Sequence, residues 1–537
     1  MFSPIGIYAG YKSPKARLSV TFILIPLTTF GKKAALNYLD KSAKSRLKRM
    51  MIMTLSIRNE IRLLINGQEH TVHGTNSLLP LAQYLRLNAN LPGTKVVCAE
   101  GDCGACTSLV ARWNGDGWSE FQTLNSCIAP VYLFDLASIV TVEGLAHEEA
   151  LNDVQDQMRA FHGGQCGYCT PGMVCALSGL AENCSQKNTP ITEKKARNHL
   201  TGNLCRCTGY EPILNAATHV DLKKWTSLAE RYCADNFKNA FAKVKENSIV
   251  IESENKKVLA PVELSEALKL KAQNPSLRIV AGATDLGVLH NKGKSFLDQV
   301  LVLNRIPELA GLKAMDQGLW VGARATLTDF ENFSEQSFPE ISRLMRVFAS
   351  PQIKNQGTLM GNVLNGSPIG DSLPGLLALN AEVHLQSAQG TRVVPLTSFY
   401  KAYKTFDIKP DEIATGLFIP SLSKEWKTKF YKVSLRKDLD ISAVTFAAAL
   451  RIENGNILEA RVALGGVGPT VVRLPEIEAD LVGQQFTETL FKTMGKKAQQ
   501  QIKPISDLRA TDEYRLQVTE NLFHKCYVEL STEQTCP

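Results

Sequence analysis

The sequence of 537 residues lacks several features that mark large classes of protein. No apolar run reaches the roughly 18–20 residues that cross a bilayer, so the sequence does not predict contact with a membrane. Thirteen cysteines are too sparse, and odd in number, for a disulfide scaffold. The proportions of apolar (44%), charged (21%) and aromatic (7%) residues exclude collagen-like, coiled-coil and wholly disordered chains. The length predicts several domains, each able to bury its own core.

Acidic residues are almost missing from the first fifty positions, where ten basic residues face the single acid Asp40. This segment has a charge of +9 in a chain of net charge +8, so the remainder is nearly neutral and nucleic-acid binding is not expected. We interpret residues 1–54 as a basic leader that is disordered or foreign to the native protein, with translation starting near Met51 or Met53. A cleaved secretion signal is the alternative, but no small-residue cleavage site follows the apolar stretch 18–30.

Eight of the cysteines form two groups. The first cysteine set has the spacing C-x4-C-x2-C-x20-C and comprises Cys98, Cys103, Cys106 and Cys127. The second cysteine set has the spacing C-x2-C-x35-C-x-C and comprises Cys166, Cys169, Cys205 and Cys207. Clustered thiols predict two soft-ligand metal centres and a reducing compartment, which favours a cytoplasmic location.

The first cysteine set has the spacing of plant-type [2Fe–2S] ferredoxins. Gly101 and Gly104 allow the loop to fold around a small cluster. Asn66-Gly67 predicts a hairpin between strands at 60–65 and 68–73. A helix is predicted at 78–85, followed by strands at 107–113 and 139–143. A structural zinc site is the alternative for these thiols.

The second cysteine set lies among predicted helices. One helix is predicted to end at Gly163, and Thr170 and Thr192 are predicted to cap the next two. A fourth helix is predicted to open around Pro212. Each cysteine pair would then precede a helix start, where the positive end of the dipole favours an anionic cluster. We therefore predict a small four-helix domain with a second iron–sulfur centre, with zinc again as the alternative.

Two segments beyond a polar linker at 239–258 combine a short apolar strand with a turn of small residues. The first small-residue turn spans residues 280–286, and the second spans residues 358–362. Such turns bring backbone amides close to a diphosphate. Neither is a G-x-G-x-x-G fingerprint or a P-loop, so on spacing alone plain connections remain the alternative.

The runs CAEGDCGACT, GQCGYCTPGM and GNLCRCTGYEPI resemble the two-cluster module of the molybdenum hydroxylases, the family of xanthine dehydrogenase, aldehyde oxidase and aerobic carbon monoxide dehydrogenases. The AGATDL and GTLMGN…SPIGD runs are similar to the FAD domain of the same family. The resemblance implies two [2Fe–2S] clusters held by the eight cysteines, with Gln165 and Cys207 on the side facing a molybdopterin. It also implies bound FAD, because His290 has no covalent-flavin context.

By the same resemblance, the first small-residue turn would hold the FAD diphosphate through Val280, Ala281, Gly282, Ala283, Thr284, Asp285 and Leu286. The second turn would do so through Thr358, Leu359, Met360, Gly361 and Asn362. Phe348, Asp371 and Lys432 match positions near the nucleotide or flavin. Tyr403 and Asp440 match positions on the nucleotide and nicotinamide side.

The resemblance covers residues 57–537 and implies a multidomain α+β chain. Its expected parts are a β-grasp ferredoxin domain (57–146), a four-helix [2Fe–2S] domain (147–238), an α+β FAD domain of the vanillyl-alcohol-oxidase/PCMH type (239–424) and an α+β C-terminal domain like that of carbon monoxide dehydrogenase flavoproteins (425–537).

This order of domains is similar to that of the small subunit of bacterial xanthine dehydrogenases. It implies a chain without catalytic residues of its own, which takes electrons from hypoxanthine or xanthine hydroxylation at a large molybdopterin-binding partner subunit. The electrons would pass through both clusters and FAD to NAD, in a heterotetramer or higher hetero-oligomer. The alternatives are the same module in a hydroxylase of aldehydes or N-heterocycles, and a non-enzymatic zinc protein.

Overall fold

A computed structural model describes residues 57–147, 150–233, 235–295, 297–437 and 439–535, and the interpreted leader lies outside this part of the chain. The described region opens with the predicted hairpin, β1 (Glu60–Ile65) and β2 (Gln68–His73). Asn66 and Gly67 both have positive φ, at 48° and 82°, as a tight hairpin turn requires. Both strand bounds agree with the prediction.

The first sheet has the order β2-β1-β5-β3-β4, in which β1 and β5 are parallel and the other pairs antiparallel. Its other elements are α1 (Leu81–Leu87), β3 (Thr107–Arg112), β4 (Gln122–Asn125) and β5 (Ala137–Val140). The helix predicted at 78–85 begins later because Pro80 stands at its N-cap. The strand predicted at 139–143 ends at Val140 and gives way to a 3-10 turn.

The second region is helical. It comprises α2 (Asp153–Ala160), α3 (Thr170–Gln186), α4 (Glu193–His199) and α5 (Glu211–Thr218), then α6 (Leu228–Tyr232) and α7 (Asp235–Ala242). Thr192 caps α4 by accepting a hydrogen bond from the Lys195 amide at 3.3 Å, as predicted. The prediction for Thr170 was wrong: Cys169 is the N-cap, and Thr170 is already helical.

The stretch 239–258 is not simply a linker. Helix α7 runs to Ala242, and a hairpin of β6 (Ile249–Ser253) and β7 (Lys256–Ala260) follows. Some of the charged residues lie on this strand pair, whose alternate apolar side chains, including Ile249, Ile251 and Val258, are buried. The polar composition therefore masked a two-residue alternation.

The FAD-type region contains two larger sheets and one two-stranded sheet. The first has the order β6-β7-β9-β8 and the second the order β10-β11-β16-β12-β13. Their strands are completed by β8 (Arg278–Val280), β9 (Gln299–Val302), β10 (Leu312–Met315), β11 (Gly318–Gly322), β12 (Glu382–Gln386), β13 (Thr391–Pro395) and β16 (Ile413–Pro420), while β14 (Tyr400–Ala402) pairs with β15 (Thr405–Phe406). The helices are α8 (Leu264–Gln273), α9 (Leu286–Asn291), α10 (Leu327–Ser337), α11 (Pro339–Arg346), α12 (Pro351–Lys354), α13 (Leu359–Asn365), α14 (Ser372–Ala378) and α15 (Leu396–Phe399).

The second small-residue turn differs from its prediction. Residues 359–362 form the start of α13, and Thr358 is its N-cap, with its hydroxyl accepting a hydrogen bond from the Gly361 amide at 3.0 Å. Thr358 thus satisfies an amide that a helix start leaves unpaired. The first small-residue turn follows its strand, β8, as predicted.

The C-terminal region is an antiparallel sheet with helices. Its sheet has the order β17-β18-β19-β20 and comprises β17 (Trp426–Val433), β18 (Val444–Glu453), β19 (Asn456–Gly465) and β20 (Val472–Arg473). The helices are α16 (Pro475–Leu481), α17 (Glu488–Gln501) and α18 (Asp512–Thr535). Within the described residues, no helix is long and apolar enough to cross a membrane.

The first sheet shares buried cores with both of its neighbours. Ile61 and Ile139 belong to one apolar cluster with Ile251 and Val300 of the FAD-type region. On the other side, Leu109 packs into the cluster of the helical region. A buried ion pair adds to the first junction: Arg58 donates to Asp135 at 2.7 Å, and Arg305 approaches the same carboxylate at 3.2 Å. These shared cores hold the first sheet, whose loops carry the first cysteine set, between the helical region and the FAD-type region.

Candidate cluster and flavin sites

The first cysteine set lies on the loop between α1 and β3, with Cys127 just after β4. Ala99, Gly101 and Gly104 have φ values of 55°, 79° and 66°, so the loop turns back on itself as the two glycines predicted. Asn125 secures the loop by donating to the Gly101 carbonyl at 2.6 Å. The backbone is thereby folded around the space enclosed by the four thiols.

The thiols of the first cysteine set touch one another in a chain of pairs. Cys98 contacts both Cys103 and Cys127, and Cys127 also contacts Cys106. The hydrogen bonds from neighbouring thiols lower the pKa of Cys98 and raise that of Cys127. Cys106 and Cys127 are buried, with 2% and 3% of their surface exposed.

The second cysteine set forms two pairs. Cys166 contacts Cys207, and Cys169 contacts Cys205. Burial, followed by the contact with Cys205, raises the pKa of Cys169 to about 12. Cys169 stands at the N-cap of α3, so the two thiols adjacent in sequence, Cys166 and Cys169, precede a helix start as predicted. Cys166 and Cys207 are exposed.

Paired contacts suit a cluster of two irons, because each iron takes two thiolates. A zinc site instead gathers four ligands around one point. The four thiols of each set, and the two-by-two contacts of the second cysteine set, therefore fit the [2Fe–2S] prediction.

The loops of the two cysteine sets are in direct contact. The amide of Leu204 donates to the carbonyl of Cys103 at 2.9 Å. A Cβ at Gly172 would lie 2.2 Å from the Gly104 carbonyl oxygen, so only glycine fits where α3 meets this loop. The backbone between Cys103 and Cys106 thus abuts both halves of the second cysteine set.

Helix α9, which follows the first small-residue turn, covers the other side of the first cysteine set. A Cβ at Gly287 would lie 1.9 Å from the Ile128 carbonyl oxygen. The Asn291 amide donates to the carbonyls of Ala99 and Cys127, both at 2.9 Å. The first small-residue turn and the first cysteine set are therefore parts of one packed unit.

The two small-residue turns also meet. A Cβ at Gly282 would lie 2.2 Å from the Gln356 carbonyl oxygen, and the Gln356 side chain donates to the Gly282 carbonyl at 2.7 Å. Asn365, at the end of α13, donates to Asp285 at 3.3 Å. Ala283 has a φ of 57°, which turns the backbone sharply within the first turn. The two turns that the diphosphate prediction requires therefore lie side by side in the structure.

Asp371 and Lys432 form a buried ion pair. Their charged atoms lie 2.7 Å apart, and the two side chains are only 7% and 3% exposed. Burial raises the pKa of Asp371, while Lys432 and the Ser442 hydroxyl act in the opposite direction. Lys432 also donates to the Val347 carbonyl at 3.0 Å, next to the half-buried Phe348. The structure thus pairs Asp371 with Lys432 and brings the Lys432 ammonium to the backbone beside Phe348.

The same group connects to the second small-residue turn, since Ser372 donates to Asn362 at 2.6 Å. Two cavities, of about 580 and 600 Å³, lie elsewhere and are lined by none of the predicted FAD residues. Tyr403 is exposed and Asp440 accepts from the Arg436 amide at 2.8 Å. Their assignment to the nucleotide side stays a prediction.

Sequence reasoning missed Gln356, Ser442 and Asn291. Gln356 directly precedes the Gly357-Thr358 run, and Ser442 stands two residues after Asp440, so proximity to the motifs was a signal for both. Asn291 lies in no motif, and only packing reveals its two acceptors.

Three family models match successive parts of the chain. They are the [2Fe–2S] binding domain (residues 141–218), the FAD binding domain in molybdopterin dehydrogenase (252–422) and the CO dehydrogenase flavoprotein C-terminal domain (429–530). The matches confirm the predicted fold class and define an iron–sulfur and FAD-binding oxidoreductase chain.

The chain belongs to the molybdenum hydroxylase family. It is 29% identical to xanthine dehydrogenase of Emericella nidulans over 81% of this chain and 36% of that protein, and 28% identical to that of Drosophila subobscura over 87% and 39%. The chain thus spans well under half the length of these relatives.

Among solved structures, carbon monoxide dehydrogenase from Hydrogenophaga pseudoflava matches with 24% identity, 51% coverage of this chain, 96% coverage of that chain and a TM-score of 0.49. Quinoline 2-oxidoreductase from Pseudomonas putida matches with 25% identity, coverages of 50% and 94% and a TM-score of 0.47.

Proposed function

We propose that this chain is the electron-transfer and NAD-reducing part of a xanthine dehydrogenase. The observation that carries the proposal is an unbroken series of contacts. Leu204, beside Cys205, touches Cys103, and Asn291, at the end of the helix that follows the first small-residue turn, touches Cys127. A chain that packs two thiol sets and a flavin-type turn in this order is suited to move electrons between them.

Each part of the chain has a separate task in this proposal. The two cysteine sets hold one [2Fe–2S] cluster each, and the loop glycines let main-chain amides approach the sulfurs. The two small-residue turns bind the FAD diphosphate, and Phe348, Asp371 and Lys432 surround its nucleotide or flavin. Clusters carry single electrons and FAD exchanges either one or two, so together they connect a two-electron oxidation with hydride transfer to NAD.

The domain division proposed for these tasks is 57–146, 147–238, 239–424 and 425–537. The matched family models support it, since the FAD model ends at residue 422 and the C-terminal model begins at 429. Strands β6 and β7 support the start of the FAD domain before residue 249.

The molybdopterin is proposed to reside on a large partner subunit that hydroxylates hypoxanthine or xanthine, in a cytoplasmic heterotetramer or higher assembly. Support comes from the relatives named xanthine dehydrogenase and from the exposed face of Cys166 and Cys207, near Gln165. The second candidate is a hydroxylase of an aldehyde or N-heterocycle, favoured by the similarity to a quinoline oxidoreductase.

The first test is an anaerobic titration of the purified chain with NADH while its visible spectrum is recorded. Bleaching of both flavin and iron–sulfur absorbance is expected. Cluster and flavin colour without bleaching would contradict NAD as the electron acceptor, and a colourless chain would contradict both cofactors. In the assembled enzyme, NAD reduction with xanthine but not with quinoline or an aldehyde would decide between the two candidates.

A further inference from the structure

Asn203 lies where three regions of the molecule meet. It is 2% exposed and stands between α4 and the Cys205-Arg-Cys207 run. Its amide nitrogen donates to the Gly104 carbonyl at 3.0 Å and to the Thr107 hydroxyl at 3.1 Å. Its amide oxygen accepts from the Gln352 side chain at 2.7 Å. Both polar atoms of this buried side chain are therefore satisfied by other regions.

The partners of Asn203 belong to different sites. Gly104 lies between Cys103 and Cys106 of the first cysteine set, whereas Asn203 itself precedes Cys205 of the second by two residues. Gln352 belongs to α12, in the FAD-type region. One side chain thus connects both cluster loops with the flavin-type region.

The surrounding backbone leaves Asn203 little freedom to move. A Cβ at Gly104 would lie 2.2 Å from the Gly202 carbonyl oxygen, and one at Gly202 would lie 2.1 Å from the Gln352 side-chain oxygen. The adjoining amide of Leu204 is bonded to Cys103 at 2.9 Å. Because such close-packed contacts transmit displacement, the orientation of the Asn203 amide is coupled to the separation of the two loops.

We propose that Asn203 is a positioning residue that fixes the distance and orientation between the two clusters and holds this pair against the flavin-type region. The inference rests on the proposed function, since it requires that both cysteine sets hold clusters. Electron tunnelling falls steeply with distance, and hydrogen bonds around the sulfurs tune a cluster's potential. A change at Asn203 therefore acts on the coupling between the clusters and on the potential of the first.

The test uses the full chain loaded with iron, sulfide and FAD, with Asn203→Leu as the main variant. Leucine has a similar volume but donates and accepts no hydrogen bond. Electron paramagnetic resonance of the fully reduced protein measures the splitting caused by magnetic coupling between the clusters, and a redox titration gives the potential of each signal. Asn198→Leu, the same change at an exposed position in α4, is the matched control.

Asn203→Leu is expected to keep two cluster signals, to decrease the coupling splitting and to shift the potential of the first cluster, while Asn198→Leu matches the wild type. A lower melting temperature with unchanged splitting and potentials would leave Asn203 only a structural role and overturn the proposal.

Gln352→Leu keeps the proposal testable if Asn203→Leu fails to load its clusters. It removes the bonds from the Gln352 amide to the Asn203 oxygen at 2.7 Å and to the Thr107 hydroxyl at 3.3 Å, but keeps both bonds that Asn203 donates. A smaller change of splitting in the same direction is therefore expected, and an unchanged splitting would overturn the proposal. A wild-type chain without two cluster signals would instead contradict the proposed function, and the inference with it.

Discussion

Cys106 and Cys127 are 2% and 3% exposed, whereas Cys166 and Cys207 lie open to solvent. Both cysteine sets offer four thiols, so the difference lies in what surrounds them. Helix α9 and the Gly104–Gly172 contact cover the first set from two sides. Around the second set, added Cβ atoms at Gly167 and Gly209 would meet no atom of the described residues within 4 Å.

The difference in exposure supports different tasks for the two cysteine sets in the proposed electron transfer. A buried site between two others is suited to internal electron transfer, because its surroundings hold it at fixed distances. An open site is suited to exchange with another protein. Tyr168, 53% exposed, and Leu204, 47% exposed, add apolar surface beside the open thiols, as the proposed partner interface would need.

The largest expected effect comes from removing one ligand of the buried set. Cys103→Ser is expected to abolish one of two iron–sulfur signals in electron paramagnetic resonance, because serine lacks the thiolate that holds the cluster. FAD and the second signal should remain. Cys233→Ser, at a cysteine outside both sets, is the control and should leave both signals unchanged.

An unchanged two-cluster spectrum in Cys103→Ser would contradict the ligand assignment. Loss of both signals would contradict the treatment of the two cysteine sets as separate sites, since the second set would then depend on the first for its cluster.

Solvent access provides the second test of the comparison. When the loaded chain is exposed to an iron chelator, the cluster of the second cysteine set is expected to lose its signal first, because the Cys166 and Cys207 sulfurs face the solvent. The decay of each signal is followed by electron paramagnetic resonance over time. Simultaneous loss, or earlier loss of the buried cluster, would contradict the assignment of open and closed sites.

Local patterns predicted local structure well. The Asn66-Gly67 pair fixed both strand bounds of the first hairpin, and Thr192 caps its helix as expected, because turn and cap chemistry act within a few residues. Cysteine spacing identified two thiol sets that the structure brings together, while the FAD role of the two small-residue turns stays a prediction. The polar composition led to the prediction of a linker, although residues 249–260 form a strand pair. The small residues after Thr358 led to the prediction of a turn, although Thr358 is the N-cap of a helix.

Contacts between regions were beyond the reach of sequence patterns. Gln352 and Asn203 are 149 residues apart, and Asn291 lies 164 residues from Cys127. Such pairs form only because β-sheets and helices share buried cores, and no local spacing records which face packs on which. The sequence therefore predicts which residues can bind a cluster, while the packing between regions decides which cysteine set is enclosed.

A smaller effect is expected where helix α9 encloses the buried site. Gly287→Ala would place a Cβ 1.9 Å from the Ile128 carbonyl oxygen, so the helix must shift. The free energy of unfolding is expected to fall by about 3 kcal/mol, the upper range for overpacking. Gly117→Ala is the control, because its Cβ would meet no described atom within 4 Å, and a change below about 0.5 kcal/mol is expected.

Denaturant unfolding monitored by tryptophan fluorescence measures both variants. A Gly287→Ala protein as stable as the wild type would show that α9 does not enclose the first cysteine set as tightly as its contacts indicate. In Gly287→Ala the signal of the second cluster is expected to remain, because α9 covers only the first cysteine set. This result would sharpen the comparison between the two sets.

The smallest effect concerns His199, in α4 of the helical region. Its Nε2 atom is buried without a hydrogen-bond partner among the described residues, and it faces Gly179 of α3, which packs on Leu109 of the first sheet. Burial lowers the pKa of His199 to about 4. The folded protein therefore resists protonation that the unfolded chain accepts near a pKa of about 6.5, so stability falls as the pH decreases through that value.

Between about pH 7.5 and about pH 5.5, this single group should reduce the free energy of unfolding by about 1 kcal/mol. His199→Gln removes the titrating group, so its unfolding midpoint in urea should fall less over the same interval than that of the wild type. Equal pH dependence in the two proteins would contradict a buried neutral histidine. The interface between the helical region and the first sheet would then admit water. The buried surroundings of the first cysteine set would in that case not extend as far as α4.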